Sequence, residues 1–239
     1  VIDPSIFKKY YKYFTKVFTW NPKLADEYGF SIFNIPNIIS FSSVLTNKPV
    51  SFVQLSSNKL SNYPSENYSL RKDVINFFES ENYPFHFYGH NWDKRFIFNS
   101  RFFNRLINLL PFNKKSYTNY YGISIDKSST ISKYKYCFCF ENSSGDFGYI
   151  TEKIFDCLNN GVIPIYFGAP DINKYIDSDL FVDFRDFDSI QSLVKYIIQN
   201  DHIIVSRYNL AVANCNYMEL QDCFSNNTFL DLVFNKYDK

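Results

Sequence analysis

The feature that most constrains the fold is a regular alternation, after Pro49, of short apolar runs with amphipathic helical segments. Residues 50–55 form an apolar run bounded by a proline and a long polar stretch, which is typical of a buried strand. A second run at residues 85–89 follows a helical face whose apolar members recur at i, i+4, i+7 and i+8: Leu70, Val74, Phe77 and Phe78. A helix between two such strands predicts a βαβ unit and therefore a parallel sheet.

The alternation continues toward the C-terminus. Residues 134–140 and 162–167 are further strand-like runs, and a short one follows at residues 180–182. Helical faces begin at Ile150 and at Asp188. Together these strand-like runs and helical faces predict a doubly wound parallel α/β domain, in which ligands bind beyond the carboxyl ends of the strands.

The predicted organisation has three parts. A proline-broken segment at residues 1–46, with a short strand at residues 16–20, precedes the α/β domain at residues 47–200. A helical tail at residues 201–239 follows, and we expect it to pack back across the domain.

Local signals add further predictions. Helices are expected near residues 100–110 and 128–133. Pro164 cannot donate a ladder hydrogen bond, so it should lie at a sheet edge or at the start of its strand. Asp188 with Gln191 three residues later resembles a capping box.

Charge and composition exclude several classes of protein. The 239 residues carry 25 Lys+Arg against 24 Asp+Glu, a net charge of +1 without a basic stripe, which argues against nucleic-acid binding. No apolar run reaches the ~18 residues that span a bilayer, so no membrane contact by this chain is expected. Cys137 and Cys139 fit small buried hydrophobic residues. The sequence leaves the oligomeric state open, and the compartment too: cytoplasmic for a bacterial or viral chain, the Golgi lumen for a eukaryotic one.

The segment richest in chemistry is the loop at residues 141–149, which runs into the helix expected near Ile150. Two glycines flank the turn, and free backbone N–H groups at a positive helix end suit a diphosphate. Lys153 adds a point charge in the first helical turn, and Glu152 offers a hydrogen-bond acceptor for sugar or ribose hydroxyls. On the residues alone, an ordinary surface turn with an exposed Glu–Lys pair remains an alternative.

A second cation is expected at the same edge of the sheet. Arg71 begins the helix after the first strand, and in a parallel sheet that position shares a rim with Lys153. Two cations and a helix end can neutralise a leaving nucleoside diphosphate. A solvated salt bridge is the alternative for Arg71.

Three runs together resemble the signature of the α1,3/1,4-fucosyltransferases, glycosyltransferase family 10. They are YCFCFENS at residues 136–143, GYITEKI at 148–154 and GVIPIYFGAP at 161–170. Weaker similarity extends upstream, to Ser56-Ser57-Asn58 followed by Leu70-Arg71, and to residues 14–20, which resemble a strand near the end of the family's acceptor domain. The resemblance covers most of residues 14–200.

The resemblance implies a GT-B architecture, in which this chain supplies the Rossmann-like donor domain and a truncated N-terminal acceptor part. It implies inverting transfer of L-fucose from GDP-fucose to a glycan hydroxyl, with no metal and no further cofactor. By motif position, Arg71, Lys153 and Glu152 would be the catalytic residues, with both cations on the diphosphate. The donor would also be bound by the following positions: Asn142, Ser143, Gly148, Tyr149 and Thr151. Gly89 and His90 match no quoted motif; they are expected at the guanine from topology alone, because they lie at another strand end.

One departure concerns the general base, which in this family is proposed to be a Glu of the acceptor domain. No Glu precedes Glu27 here, and the context of Asp3 does not match. No base is therefore assigned, and the motif is expected upstream of Val1. The chain is expected to be a donor-binding half whose acceptor half is absent or reduced, with transfer weakened by ~10²–10⁴-fold.

Three alternatives remain. A metal-dependent GT-A enzyme would use one of two Asp-x-Asp pairs, Asp177/Asp179 or Asp186/Asp188, which otherwise fit loop and capping positions. A non-catalytic module would bind a nucleotide sugar or glycan without transfer. A related transferase would use another nucleotide sugar.

Overall fold

The predicted alternation of strands and helices is confirmed. The computed structural model describes residues 9–95 and 116–234, and between them residues 104, 106, 108 and 109. In chain order the helices and strands are β1 (Phe18–Thr19), α1 (Pro22–Tyr28), β2 (Ser31–Ile32), β3 (Phe52–Leu55), α2 (Tyr68–Ser80), β4 (Phe85–Tyr88), α3 (Lys127–Ile131), β5 (Tyr136–Phe140), α4 (Glu152–Asn159), β6 (Ile163–Phe167), β7 (Val182–Asp183), α5 (Ile190–Ala213), α6 (Tyr217–Phe224) and α7 (Asn226–Phe234).

The main sheet has the order β4-β3-β5-β6-β7, and every neighbouring pair is parallel. The chain first builds outward from β3 to β4 and then returns to the other side of β3 with β5. The strand order therefore reverses between β3 and β5, and a crevice opens at their carboxyl ends. This confirms the predicted doubly wound α/β fold and fixes where a ligand site is expected.

Aromatic side chains fill the core around β3 and β4. The Phe78 ring, fully buried on α2, lies 4.2 Å from the Phe85 ring, 5.3 Å from that of Phe52 and 5.7 Å from that of Phe138. Each buried ring of this size contributes about 1.5–3 kcal/mol to the free energy of unfolding. Aromatic residues make up 21% of the sequence, and part of them is used in this core.

The N-terminal segment forms a small unit of its own, in which β1 and β2 pair in parallel around α1. The chain after β2 is extended, and the hydrogen bonds that hold it include Asn37 N to Phe224 O (2.7 Å), Ser42 N to Leu158 O (2.9 Å) and Val44 N to Asn209 Oδ1 (2.8 Å). The C-terminal helices therefore contact the N-terminal segment. Helix α5 runs without a break through residue 200, where the sequence placed the start of the tail. The division into domains stays a prediction.

Several local predictions need correction. The capping box of α5 is formed by Ser189 and Ser192, not by Asp188 and Gln191, because the Ser189 hydroxyl accepts the Ser192 N–H at 3.1 Å. The helix expected from Ile150 begins at Glu152. The strand expected at residues 180–182 is a 3₁₀ turn, Ser178–Leu180, followed by β7.

Other local predictions hold or are not testable. The helix expected near residues 128–133 is α3. Pro164 is the second residue of β6, and pairing with the short β7 starts one residue later, so the strand-start prediction is confirmed. The helix expected near residues 100–110 lies largely outside the described residues.

The cysteines and the helix lengths agree with the composition argument. All five cysteines are free thiols, and Cys137 and Cys139 are buried in β5 as expected. Within residues 9–95 and 116–234, every helix is too short or too polar to cross a membrane.

Candidate functional site

The strand reversal between β3 and β5 places a small cavity at the carboxyl edge of the sheet. Its volume is about 80 Å³, and its lining includes Leu55 at the end of β3 together with Arg71, Lys127, Glu152 and Lys153. All three residues predicted as catalytic thus line one cavity. The parallel-sheet rule that placed Arg71 and Lys153 on one rim is confirmed.

Arg71 is held rigidly at the base of this cavity. It is 6% exposed, and its Nη2 donates to Phe140 O at 2.5 Å and to Asn142 Oδ1 at 3.1 Å. The guanidinium lies 5.0 Å from the centre of the Tyr68 ring. Burial lowers the pKa of Arg71, and the nearby Tyr68 and Glu141 oppose that shift. Among the described residues, Nε and Nη1 have no hydrogen-bond partner, so a guanidinium edge is left for an anion.

Asn142 links this cation to the aromatic side of the site. Its oxygen accepts from Arg71, and its Nδ2 donates to Tyr149 Oη at 3.3 Å. The Tyr149 ring lies 5.5 Å from that of half-buried Trp20, which comes from the N-terminal unit. Burial raises the pKa of Tyr149, so the phenol stays protonated at neutral pH. The two predicted donor contacts are therefore joined to each other and to Trp20.

Lys153 is paired with a buried carboxylate that the sequence analysis did not single out. Glu141 is fully buried, and its Oε2 accepts from Lys153 Nζ at 2.9 Å. The same carboxylate accepts the backbone N–H and the hydroxyl of Thr151, which is the N-cap of α4. Burial lowers the pKa of Lys153, but the charges of Glu141 and Glu152 outweigh this and raise it overall. The lysine is thus a fixed cation at the helix start.

Glu152 is the more exposed carboxylate of the site. Its Oε1 lies 3.7 Å from Lys153 Nζ and 3.9 Å from Lys127 Nζ. Burial raises the pKa of Glu152, but the two lysines lower it overall. An ionised carboxylate of this kind accepts hydrogen bonds well and is a weak base. Lys127 also pairs with Asp156, so the rim of the cavity alternates in charge.

The expectation of free backbone N–H groups in the loop is wrong for five positions. The Gly148 N–H donates to the buried Asp171 carboxylate at 2.8 Å, and the Thr151 N–H is held by Glu141. The remaining three donate to loop acceptors: Ser144 N to Ser65 O, Tyr149 N to Asp146 O and Ile150 N to Gly148 O. These five N–H groups support the loop and the start of α4, so the donors left for a ligand are side chains, the first turn of α4 and the loop N–H groups outside this set.

Gly148 and Ser143 serve this support. Gly148 has φ +70°, and a Cβ there would lie 2.2 Å from Trp20 O, so only glycine fits. Ser143 is fully buried, and its hydroxyl lies 2.8 Å from that of Ser65. Direct contact of Ser143, Gly148 and Thr151 with a donor stays a prediction.

The β4 end of the rim carries the other predicted residues. Gly89 has φ +146°, and a Cβ there would lie 1.9 Å from Ser56 O, so the β3 and β4 loops touch. His90 is exposed, and its carbonyl accepts the Asn58 N–H at 2.9 Å. Gly89 and His90 therefore lie at the predicted edge, and their contact with guanine stays a prediction.

Two buried acceptors near this edge lack partners among the described residues, Gln54 Oε1 and Asn58 Oδ1. Gln54 Nε2 donates to the carbonyl of Arg71, and Asn58 Nδ2 donates to the carbonyls of Asn91 and Lys94. Buried polar atoms are normally satisfied, so an orphan acceptor points to a ligand or to water. The sequence after β3 did not predict these two unpaired acceptors, and its only indication of a site there was the Ser-Ser-Asn run.

The metal-dependent alternative finds no support at the acidic pairs. Asp177 caps a 3₁₀ turn, because its Oδ1 accepts the Asp179 N–H at 2.9 Å. Within the described ranges, no three His, Cys, Asp or Glu side chains are placed to hold a metal ion. Metal-independent chemistry stays a prediction.

Several residues important to this site were missed by the sequence analysis: Trp20, Tyr68, Lys127, Glu141 and Asp171. Glu141 had a signal, since it is a charged residue directly after an all-apolar strand, where burial requires a partner. Trp20 and Asp171 had none, because both reach the loop from distant parts of the chain.

Comparison with known proteins finds fucosyltransferases. Residues 104–209 match the family model described as "Glycosyltransferase family 10 (fucosyltransferase) C-term". The α-(1,3)-fucosyltransferase FucT of Helicobacter pylori is 41% identical over 75 residues, which cover 30% of this chain and 16% of that protein. The α-(1,4)-fucosyltransferase of Arabidopsis thaliana is 33% identical over 90 residues, which cover 37% of this chain and 22% of that protein. The matches thus span less than a quarter of each relative.

The fold also has a counterpart among solved structures. The crystal structure of TarM superposes with a TM-score of 0.52 at 15% identity, covering 93% of this chain and 43% of that one. This likeness concerns the fold alone, a Rossmann-like α/β domain of the GT-B type. The motifs, the family match and the relatives point the same way: residues 104–209 are similar to the C-terminal domain of glycosyltransferase family 10, the fucosyltransferases.

Proposed function

We propose that this chain binds the nucleoside diphosphate of GDP-fucose at the β3–β5 reversal and supports transfer of L-fucose to a glycan hydroxyl. The observation that carries the proposal is the convergence of Arg71, Glu152 and Lys153 on one cavity. Two fixed cations beside a helix N-terminus suit a diphosphate, which is the leaving group of a sugar nucleotide. The relatives are named for fucosyl transfer in two linkages, so the proposal extends to fucose and leaves the linkage open.

In the proposed reaction, the acceptor hydroxyl attacks the anomeric carbon while the bond to the β-phosphate oxygen breaks, which inverts that carbon. The electron pair leaves with GDP, and Arg71 and Lys153 stabilise the growing negative charge. Asn142, Tyr149 and Glu152 would contact the ribose and the sugar, and Gly89 and His90 the guanine.

The acceptor proton requires a base from outside this cavity. Glu152 and Asp156 line the cavity and Glu141 lies next to Lys153, and each of the three forms an ion pair with a lysine, so we assign the base to none of them. A base supplied by an acceptor-binding region would raise the rate of transfer by the usual contribution of general acid–base catalysis, about 10²–10⁴-fold.

The test is a calorimetric titration of GDP into the wild type, Lys153→Ala and the control Lys195→Ala. Lys195 is an exposed residue of α5 that does not line the cavity. We expect Lys153→Ala to weaken GDP binding by on the order of 10²-fold, whereas Lys195→Ala binds as the wild type does. Equal affinities in all three proteins would refute the site.

A non-catalytic nucleotide-sugar module is the second candidate. It is favoured by the pairing of every cavity-side carboxylate with a lysine, which leaves no base. A transfer assay with GDP-fucose and several glycan acceptors separates the two, because a module binds GDP with the same dependence on Lys153 but forms no product.

A further inference from the structure

The most deeply buried charge of the site is a carboxylate that the proposed reaction does not use. Glu141 follows β5 directly and is 0% exposed. Its two oxygens accept from three groups: Thr151 N (2.9 Å), Thr151 Oγ1 (2.8 Å to Oε2) and Lys153 Nζ (2.9 Å). A buried carboxylate without such partners would be strongly unfavourable, so this arrangement is specified rather than incidental.

The surrounding backbone makes room for this carboxylate. The Glu141 N–H donates to Phe167 O at 2.8 Å, and the Glu141 carbonyl accepts from Asn67 Nδ2 at 3.0 Å. A Cβ at Gly168 would lie 2.6 Å from Glu141 Cγ, so a larger residue there would displace the side chain. The position of the carboxylate is therefore set by the sheet, without any ligand.

The hydrogen bonds form a closed triangle with the lysine. The Thr151 hydroxyl donates to Glu141 and accepts from Lys153 Nζ at 2.9 Å, while the same ammonium donates to Glu141. An ammonium group has three N–H donors, so two are used inside the triangle. Tetrahedral geometry then turns the third away from Glu141 and Thr151.

We propose that Glu141 is a positioning residue, which fixes the Lys153 ammonium as a charged donor directed at the diphosphate. This inference rests on the proposed function of the cavity. Glu141 would touch neither donor nor acceptor, and it would act through the lysine alone. The effect is preorganisation, because the cation is already oriented before the leaving group develops its charge.

The charge of Lys153 at alkaline pH gives a readout that a purely structural role would not move. Burial lowers the pKa of Lys153, and the Glu141 charge is the largest influence that raises it. Glu141→Gln removes the negative charge that raises the Lys153 pKa, whereas the burial that lowers it remains. An opposite charge at this distance favours the charged form of a lysine, so we expect the Lys153 pKa to fall when that charge is removed.

The matched control is Asp171→Asn, which also changes a buried carboxylate to an amide and lies after β6, in contact with the same loop. Asp171 is 7% exposed and holds the Gly148 N–H at 2.8 Å. Both substitutions are expected to lower the melting temperature. In the described structure only Glu141 of the two contacts Lys153, so only Glu141→Gln should change its titration.

The experiment uses the full chain with isotope-labelled lysine and follows the Lys153 side chain by NMR from pH 7 to 11, its signal assigned by its loss in Lys153→Arg. GDP affinity is measured over the same range in wild type, Glu141→Gln and Asp171→Asn. GDP itself titrates in this range, and it does so equally with all three proteins. The GDP affinity of each variant is therefore divided by that of the wild type at the same pH, which leaves the contribution of the protein. We expect the ratio for Glu141→Gln to fall by about tenfold or more toward alkaline pH, and the ratio for Asp171→Asn to stay flat.

The outcomes separate the two proposals. If the wild type binds no GDP at any pH, the proposed function is overturned, and the role of Glu141 falls with it. A second outcome is that GDP binding depends on Lys153, but Glu141→Gln and Asp171→Asn give the same Lys153 titration and the same flat affinity ratio. That outcome overturns only the inference about Glu141.

Thr151→Val is the second variant should Glu141→Gln fail to fold. It removes the hydroxyl of the triangle and keeps the carboxylate. We expect the motion of the Lys153 ammonium, measured by NMR relaxation, to increase, and unchanged motion would contradict the triangle.

Discussion

The two ends of the cavity rim differ in how completely their polar groups are paired. At the β5–α4 end, Glu141, Thr151 and Lys153 satisfy one another, and the N–H groups of Ser144, Gly148 and Tyr149 donate to acceptors of the chain. At the β3–β4 end, Gln54 and Asn58 each keep a buried acceptor without a partner in the described structure. The β5–α4 end, proposed for the diphosphate, is therefore organised before a ligand arrives. The β3–β4 end, proposed for the guanine, is completed by the ligand or by water.

The strongest way to break this comparison is to remove Arg71, which lies between the two ends. Arg71→Ala should weaken GDP binding by on the order of 10²-fold and leave the buried Phe140 carbonyl unpaired. An unpaired buried group costs about 1–3 kcal/mol of the free energy of unfolding. Calorimetry and denaturant unfolding measure the two effects.

Arg71→Lys serves as the matched control for charge. It keeps a cation but loses the planar guanidinium, whose Nη2 donates to both Phe140 O and Asn142 Oδ1 while Nε and Nη1 are left for an anion. We expect intermediate GDP affinity. Wild-type affinity in Arg71→Ala would contradict the role of this cation.

The β3–β4 end is probed by Asn58→Ala, for which we expect a smaller effect. If guanine donates to the orphan oxygen, GDP binding should weaken by about tenfold, the value of one hydrogen bond to a buried group. Inorganic pyrophosphate binding should be unchanged, because it does not reach this end. Equal losses for both ligands would instead indicate a general disturbance, since Asn58 also holds the carbonyls of Asn91 and Lys94.

A smaller effect is expected from the exposed pairing of Glu152. Its pKa in the folded chain is lowered by Lys153 and Lys127, so its contribution to stability is present above the unfolded pKa and is lost as pH falls through the folded pKa. The side chain is 56% exposed, and solvent screening keeps the contribution small. Glu152→Gln should lower the melting temperature by at most about 2 °C at pH 7 and by nothing at pH 3. A difference that grows toward acid would contradict the sign.

The smallest expected effect is that of metal removal. Both cations on the proposed diphosphate site are side chains, so GDP affinity should stay within about twofold when EDTA is added. Loss of binding in EDTA would favour a metal-dependent site and would remove the contrast between the two ends, since the phosphate side would then also be incomplete.

Much of the fold followed from local patterns. The run at residues 50–55 became β3. Of the face predicted at Leu70, Val74, Phe77 and Phe78, the structure buries Val74 and Phe78 in α2 and half-buries the other two. The capping box of α5 was misplaced by one residue. Aspartate and serine both cap well, and only the hydrogen bond from Ser192 N distinguishes them.

The candidate site was predictable as a location more than as a network. The parallel-sheet rule placed Arg71 and Lys153 on one rim, and the cavity that both line confirms it. It was not predictable that the Gly148 amide is taken by Asp171, or that Trp20 closes the loop from the other side, because both partners are remote in sequence.

The sequence by itself determined the order of strands and helices, the edge of the sheet that carries the chemistry, and the family motif. Each of these is encoded by spacing within one run of residues. The tertiary structure alone decided which groups are free and which are occupied, above all the pairing of Glu141 with Lys153. Such pairing depends on distances between side chains from separate elements, and a buried charge takes whichever partner the folded chain brings within reach.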